Sequence, residues 1–231
     1  MKLNLAILHP EEYLQLISEK FTEAGDPIRA EQQRAYMRNQ FEYCGLGAPQ
    51  WMAMAKEIFA AQGMFTGKQL EQFVRLCYDQ DYREIQYVGL EMMQRMLPDQ
   101  NKSWISVLEK CITTNSWWDS VDWLAKLVGM HFKRFPELQH KYARKWIASD
   151  NMWLQRVAII HQLMYRETTD DKLMYEMIRQ VAGSKEFFLQ KASGWALRQY
   201  AKTNPTSVEK FLAKTKLSNL SVREAMKHLN K

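Results

Sequence analysis

The sequence predicts an all-α fold, a helical-repeat solenoid of about a dozen helices. Three observations predict it. Apolar residues recur at spacings of three and four, no segment alternates apolar and polar as a strand would, and one helical unit returns at a nearly constant interval.

The helical spacing is clearest in Met37-Phe41-Cys44, Trp117-Val121-Leu124-Val128, Trp153-Val157-Ile160-Met164 and Leu189-Ala192-Ala196-Tyr200. Each set places its side chains on one helical face. All six prolines (Pro10, Pro27, Pro49, Pro98, Pro136, Pro205) fall where helices would start or break. Gly25, Gly45, Gly47, Gly63, Gly67 and Gly183 punctuate the loops. Short turns suffice between helices, and with no low-complexity stretch or long linker the reading is one domain over residues 1–231.

Four segments look like copies of one unit: Arg83 to Leu90, Trp118 to Ala125, Trp153 to Ile159 and Phe188 to Trp195. Each carries a polar residue followed by small and apolar ones. The polar positions Gln86, Asp122, Arg156 and Lys191 are 36, 34 and 35 residues apart. A two-helix repeat of that length reads as HEAT-like, with equivalent helices lining one concave face. Asp122, Arg156 and Lys191 should then be neighbours on one surface.

Composition removes several classes. An apolar fraction of 46% argues for a packed core over disorder. The apolar stretch Leu3 to Leu8 is too short for a signal-peptide core, and no run approaches a membrane span, so a cytoplasmic monomer is expected. Cys44, Cys77 and Cys111 are 33 and 34 residues apart, unlike the close pairs of a zinc site, and read as reduced core residues in helical segments. The five histidines lack ligand spacing. No glycine-rich phosphate loop or nucleophile-elbow motif is present, so neither a metal nor a cofactor is expected.

The net charge of +6 is unevenly distributed. Residues 184–231 carry ten Lys and Arg against three Glu, whereas the rest carries 22 basic and 23 acidic groups. The whole excess thus belongs to the C-terminal fifth, which suits a polyanionic partner or a solvated basic tail. Within it, Lys191, Trp195, Arg198 and Lys202 follow one another at spacings of four, three and four. Such a stripe fits phosphates with a sugar or base face. It equally fits a solvated helix face with one half-buried Trp.

Trp118 and Asp122 share a face beside the Trp117-Val121-Leu124-Val128 stripe. A ring face attracts a cation by roughly 0.5–2 kcal/mol, and a carboxylate adds direct attraction. Alternatively, Trp118 packs between repeats while Asp122 pairs with Arg156 or Lys191.

Four blocks carry a resemblance. Tyr36-Met-Arg-Asn-Gln-Phe, Asn-Ser-Trp117-Trp118-Asp-Ser-Val-Asp122, Ser149-Asp-Asn-Met-Trp153-Leu-Gln-Arg156 and Glu186-Phe-Phe-Leu-Gln-Lys191-Ala-Ser-Gly-Trp195-Ala-Leu-Arg198 appear in that order. They resemble the signature blocks of AlkD-type DNA glycosylases, over about residues 10–230. The resemblance implies a HEAT-like fold with a basic concave groove that excises cationic N3- and N7-alkylpurines from duplex DNA, without full extrusion of the lesion. It implies Asp122, Trp118 and Trp195 as the catalytic cleft. Tyr36, Arg156, Lys191, Arg198 and Lys202 would contact DNA. Two positions depart from the pattern: Ser193, where a bulkier apolar residue is common, and Gly47, where a longer polar side chain is.

An alkylpurine already carries positive charge, and as its bond to deoxyribose breaks that charge moves to the sugar. A carboxylate there stabilises the oxocarbenium ion and can orient water. The rivals are a HEAT-like module that binds DNA structures or a protein without chemistry, and a metal-dependent nuclease, which would need clustered carboxylates.

Overall fold

The computed structural model describes residues 8–229. Among them are thirteen α-helices, three short 3-10 turns and no strand; one isolated parallel bridge joins Glu42 to Tyr82. The chain forms two compact units that divide after Asn101. The first holds α1 (Pro10–Glu23), α2 (Pro27–Tyr36), α3 (Ala48–Gln62), α4 (Gly67–Tyr78) and α5 (Arg83–Met96). The second holds α6 (Ile105–Thr113), α7 (Trp118–Arg134), α8 (Pro136–Ile147), α9 (Met152–Ile160), α10 (Asp171–Gln180), α11 (Phe187–Ala201), α12 (Pro205–Lys214) and α13 (Asn219–Leu229). None of the described helices is long and apolar enough to cross a membrane.

Helix starts follow the expected chemistry. Pro10, Pro27, Pro136 and Pro205 are the first residues of their helices, and Pro49 is the second of α3. There the missing N–H would have had no intrahelical acceptor. Asp26, Asn151, Asp170 and Asn204 cap α2, α9, α10 and α12 by accepting backbone N–H bonds.

In the first unit Tyr13, Phe65 and Phe73 pack with ring centroids 5.1–5.4 Å apart, and Ile17, Phe21 and Leu70 are fully buried as well. The helix expected over Met37-Phe41-Cys44 is instead a loop. Arg38 and Asn39 adopt positive φ and end α2. Beyond them the N–H groups of Cys44, Gly45 and Leu46 donate to the Glu84 carboxylate, each at 3.0 Å, rather than to carbonyls four residues back. Glu84 is fully buried, and desolvation pushes its pKa up against the opposing pull of those N–H donors. The Arg83 guanidinium lies 3.7 Å from the Phe41 ring centroid and completes the loop's attachment to α5.

In the second unit α7, α9, α11 and α13 form one continuous layer, each packed on the next, with α8 and α10 packed together behind them. The four proposed copies are thus α5 in the first unit and α7, α9 and α11 as consecutive members of the second unit's layer. Their apolar stripes are buried: Val121, Leu124, Val128, Val157, Ile160, Leu189, Ala192 and Ala196. One end of the spacing fails. Met164 is 60% exposed, because α9 stops at Ile160, where Gln162 exchanges two hydrogen bonds with the backbone of Asp170. Cys44, Cys77 and Cys111 are buried thiols outside any disulfide, with the Cys44 and Cys111 thiols pushed up to about 12 by burial. Cys77 and Cys111 are helical, whereas Cys44 sits in the Glu84 loop.

The seam between α7 and the end of α9 is close. A Cβ on Gly129 would overlap the backbone carbonyl of His161, and the Tyr165 hydroxyl donates to the Gly129 carbonyl at 2.7 Å. The His161 ring, fully enclosed, donates from Nδ1 to the Ala158 carbonyl at 2.9 Å and stands edge-on to Phe132. Burial holds its pKa down to about 4.

Two outcomes are expected. Gly129→Ala should destabilise the protein by about 1–3 kcal/mol through overpacking, outweighing the gain of about 1 kcal/mol in helix propensity, and thermal melting reads the sign. His161 binds its proton more weakly in the folded state than in the unfolded one, so stability is lost as pH falls from about 6.5 to about 4, where only the unfolded state takes up the proton. His161→Gln should flatten that segment of a stability–pH curve measured in denaturant.

Candidate functional site

Asp122 stands on α7 one turn after Trp118, and its two carboxylate oxygens are taken by Arg156 on α9. Arg156 Nε donates to Oδ1 at 2.7 Å and Nη2 to Oδ2 at 2.8 Å. Nη1 donates to the Phe188 carbonyl on α11, also at 2.7 Å. One guanidinium therefore joins three successive helices of the layer. The pair is asymmetric: the Arg156 side chain is 6% exposed and that of Asp122 is 21%. A fork-to-fork pair of this kind fixes the carboxylate plane. Each oxygen keeps a further lone pair beyond the one it offers Arg156.

Aromatic rings gather beside this pair. Trp117, the N-cap residue of α7, packs against Trp153 and Phe188 at centroid distances of 5.8 and 5.4 Å, and Trp153 meets Phe188 at 4.9 Å. Phe187 lies edge-on to Phe188 and is 55% exposed. The Trp117 indole N–H is buried and has no acceptor among the described residues. Trp118 and Trp195 are half-buried. The assembly is an aromatic wall beside one oriented, partly exposed carboxylate, suited to holding a cation.

The structure brings Asp122 and Arg156 into direct contact, as one of the two sequence alternatives has it. Arg156, expected to hold phosphate, instead commits Nε, Nη1 and Nη2 to protein acceptors. Lys191 does not join them. Its Nζ pairs with Glu224 of α13 at 2.9 Å, and Arg198 reaches the same carboxylate at 3.1 Å. Lys202, just past α11, is exposed and donates to Gln199. Tyr36 ends α2 in the first unit and is 73% exposed. Of the two departures, Ser193 is buried and satisfied by the Leu189 carbonyl at 2.9 Å, while Gly47 serves as the N-cap residue of α3.

The aromatic cluster and Glu224 were not singled out from the sequence. A signal existed for the first: Trp153 and Phe188 each open a copy of the repeat. Glu224 lies 33 residues from Lys191 and carries no local signature.

A model of a family described as DNA alkylation repair enzyme matches residues 17–229. No curated protein matches in sequence. A solved structure described as a predicted DNA alkylation repair enzyme from Enterococcus faecalis is 32% identical, with a TM-score of 0.85 over 90% of this chain and 97% of that one. AlkD2 from Streptococcus mutans is 14% identical with a TM-score of 0.67, over 94% and 98% of the two chains, and shares the fold. On the match over residues 17–229 and the 32% identity, the chain belongs to the DNA alkylation repair enzyme family.

Proposed function

We propose that this protein is a DNA glycosylase that hydrolyses the N-glycosidic bond of positively charged N3- and N7-alkylpurines in duplex DNA. The observation that carries the reading is the Asp122 carboxylate: oriented by a buried arginine, partly exposed, and paired with a guanidinium that borders the aromatic cluster. The family, a DNA alkylation repair family, points the same way.

In this mechanism the bond from C1′ to the purine nitrogen breaks and its electron pair leaves with the base, neutralising the base's charge. Positive charge develops on the sugar, and Asp122 stabilises it electrostatically. A water oriented by the same carboxylate attacks C1′, and its proton passes to Asp122 or to solvent. The leaving group is already activated by its charge, so no general acid is required. Trp118 and Trp195 pack on the sugar and the cationic base. Arg156 acts through Asp122 as a positioning residue. Lys191, Arg198, Lys202 and Tyr36 hold the DNA backbone.

The direct test is duplex DNA carrying a single 7-methylguanine, with released base scored with and without a chelator. Release insensitive to chelator is expected, and a neutral lesion such as hypoxanthine should be left in place, because the reaction draws on the lesion's own charge. Excision of hypoxanthine at a similar rate would sink this reading.

Asp122→Asn keeps the shape and one acceptor for Arg156 but removes the charge. Single-turnover excision should slow by roughly a hundred- to a thousandfold, about 3–4 kcal/mol. The amide also turns a donor toward the guanidinium, so the melting temperature should fall as well. Measured well below that temperature, near-normal excision by a folded variant would remove Asp122 from the chemistry. The catalytic group would then be another residue, whereas a parent protein that binds the 7-methylguanine duplex and releases no base would be a DNA-binding module.

A further inference from the structure

Helix α13 lies outside the four-copy pattern, yet it is the closest neighbour of α11. A Cβ on Gly194 would come 2.5 Å from the Glu224 Cβ and 2.7 Å from the Ser221 carbonyl oxygen, so no residue with a side chain fits there without displacing α13. The Ser221 hydroxyl donates to the Gln190 carbonyl at 2.9 Å and fixes the register. Lys191 and Arg198 flank Gly194 at spacings of three and four, on the face of α11 that meets α13. The Lys-Ala-Ser-Gly-Trp-Ala-Leu-Arg block is therefore also the seat of α13.

Into that seat α13 inserts one carboxylate among three cations. Glu224 Oε1 accepts from Lys191 Nζ at 2.9 Å and from Lys227 Nζ at 2.6 Å, and Oε2 accepts from Arg198 Nη1 at 3.1 Å. The Glu224 side chain is 5% exposed, whereas those of Lys191, Arg198 and Lys227 are 36%, 31% and 50% exposed. The hydrogen bond from Lys227 and the charge of Lys191 hold the Glu224 pKa down to about 2, so it is ionised throughout the physiological range. One negative charge cannot neutralise three positive ones. The cluster keeps an excess of two, gathered around a single buried oxygen pair and within one Debye length. An ammonium carries three donors and a guanidinium five, and Glu224 takes one from each group. The remaining donors belong to side chains that are a third to a half exposed.

We propose that α13 completes a polyanion-binding surface, in which Glu224 positions Lys191, Arg198 and Lys227 together for the phosphates of a nucleic-acid backbone, and that Lys227 is a DNA contact. The inference rests on the DNA-binding part of the function proposed above and not on the excision chemistry.

The test measures affinity for undamaged duplex DNA over a series of salt concentrations, for the full chain and for Lys227→Ala, Lys191→Ala, the double variant, and each in a Glu224→Gln background. Lys227→Ala should weaken binding to every sequence and lower the log–log salt slope by about 0.9, the value of one lost phosphate contact. Its melting temperature should fall only modestly, since Glu224 keeps Lys191 and Arg198 as partners. With Glu224 intact, the two lysine effects should be non-additive, and Glu224→Gln should abolish that coupling. An unchanged salt slope in Lys227→Ala, or lysine effects that add equally with and without Glu224, would overturn the proposal while the parent protein still binds duplex. Absence of duplex binding by the parent protein would instead overturn the proposed function along with it.

Discussion

The buried guanidinium of Arg156 is the contact on which the arrangement of the second unit's site depends. Placing a charge at 6% exposure is costly unless every polar face of it is satisfied. Here the satisfaction comes from both neighbouring helices, a carboxylate on α7 and a carbonyl on α11. The requirement fixes the relative position of all three helices at their N-terminal ends, and the rings of Trp117, Trp153 and Phe188 fill the space around it. A carboxylate held in this way cannot rotate away from its working direction. Orientation of the charge before a substrate arrives is what electrostatic stabilisation of a developing cation requires.

The second charged hub inverts the first. At Asp122 a cation is buried and the anion faces outward. At Glu224 the anion is buried and the cations face outward. In each, the buried partner organises and the exposed partners remain available, so one layer of helices offers an oriented negative point and a cluster of oriented positive ones. Both signs suit the proposed function, excision of a cationic base from a polyanionic strand. Glycine makes the second hub possible, since only its lack of a side chain lets α13 approach α11 closely enough for Glu224 to reach between Lys191 and Arg198.

In the first unit the same physics serves a loop. The segment after α2 has the apolar spacing of a helix, but Glu84 offers its N–H groups a carboxylate, and the Arg83 guanidinium covers Phe41. A buried carboxyl group accepting from three backbone donors competes successfully with helical hydrogen bonding over so short a stretch. Tyr36, the last residue of α2, thus leads into a loop anchored to the fully buried start of α5.

Local chemistry made the secondary structure legible in the sequence. Prolines at the first helical turns and side-chain caps such as Asn151 act within a few residues, and stripes such as Val121-Leu124-Val128 record which face is buried. The repeat at intervals of about 35 residues identified α5, α7, α9 and α11 as equivalent, because equivalent neighbours select equivalent residues. Asp122 is legible as a polar position of that repeat, Trp118 as a ring on the same face and Trp195 as the aromatic of a basic stripe, while their grouping as a catalytic set comes from the family resemblance. Pairing was not legible. Lys191 is equivalent to Arg156 in the repeat, yet one binds Glu224 and the other Asp122. The choice follows from which carboxylate lies within about 3 Å after packing, and α13, with no copy elsewhere in the repeat, supplies the competing one. Spacing along the chain determines which residues share a face; only the packed helices decide which charges meet across it, because an ion pair depends on distances between segments that the sequence leaves 26 to 34 residues apart.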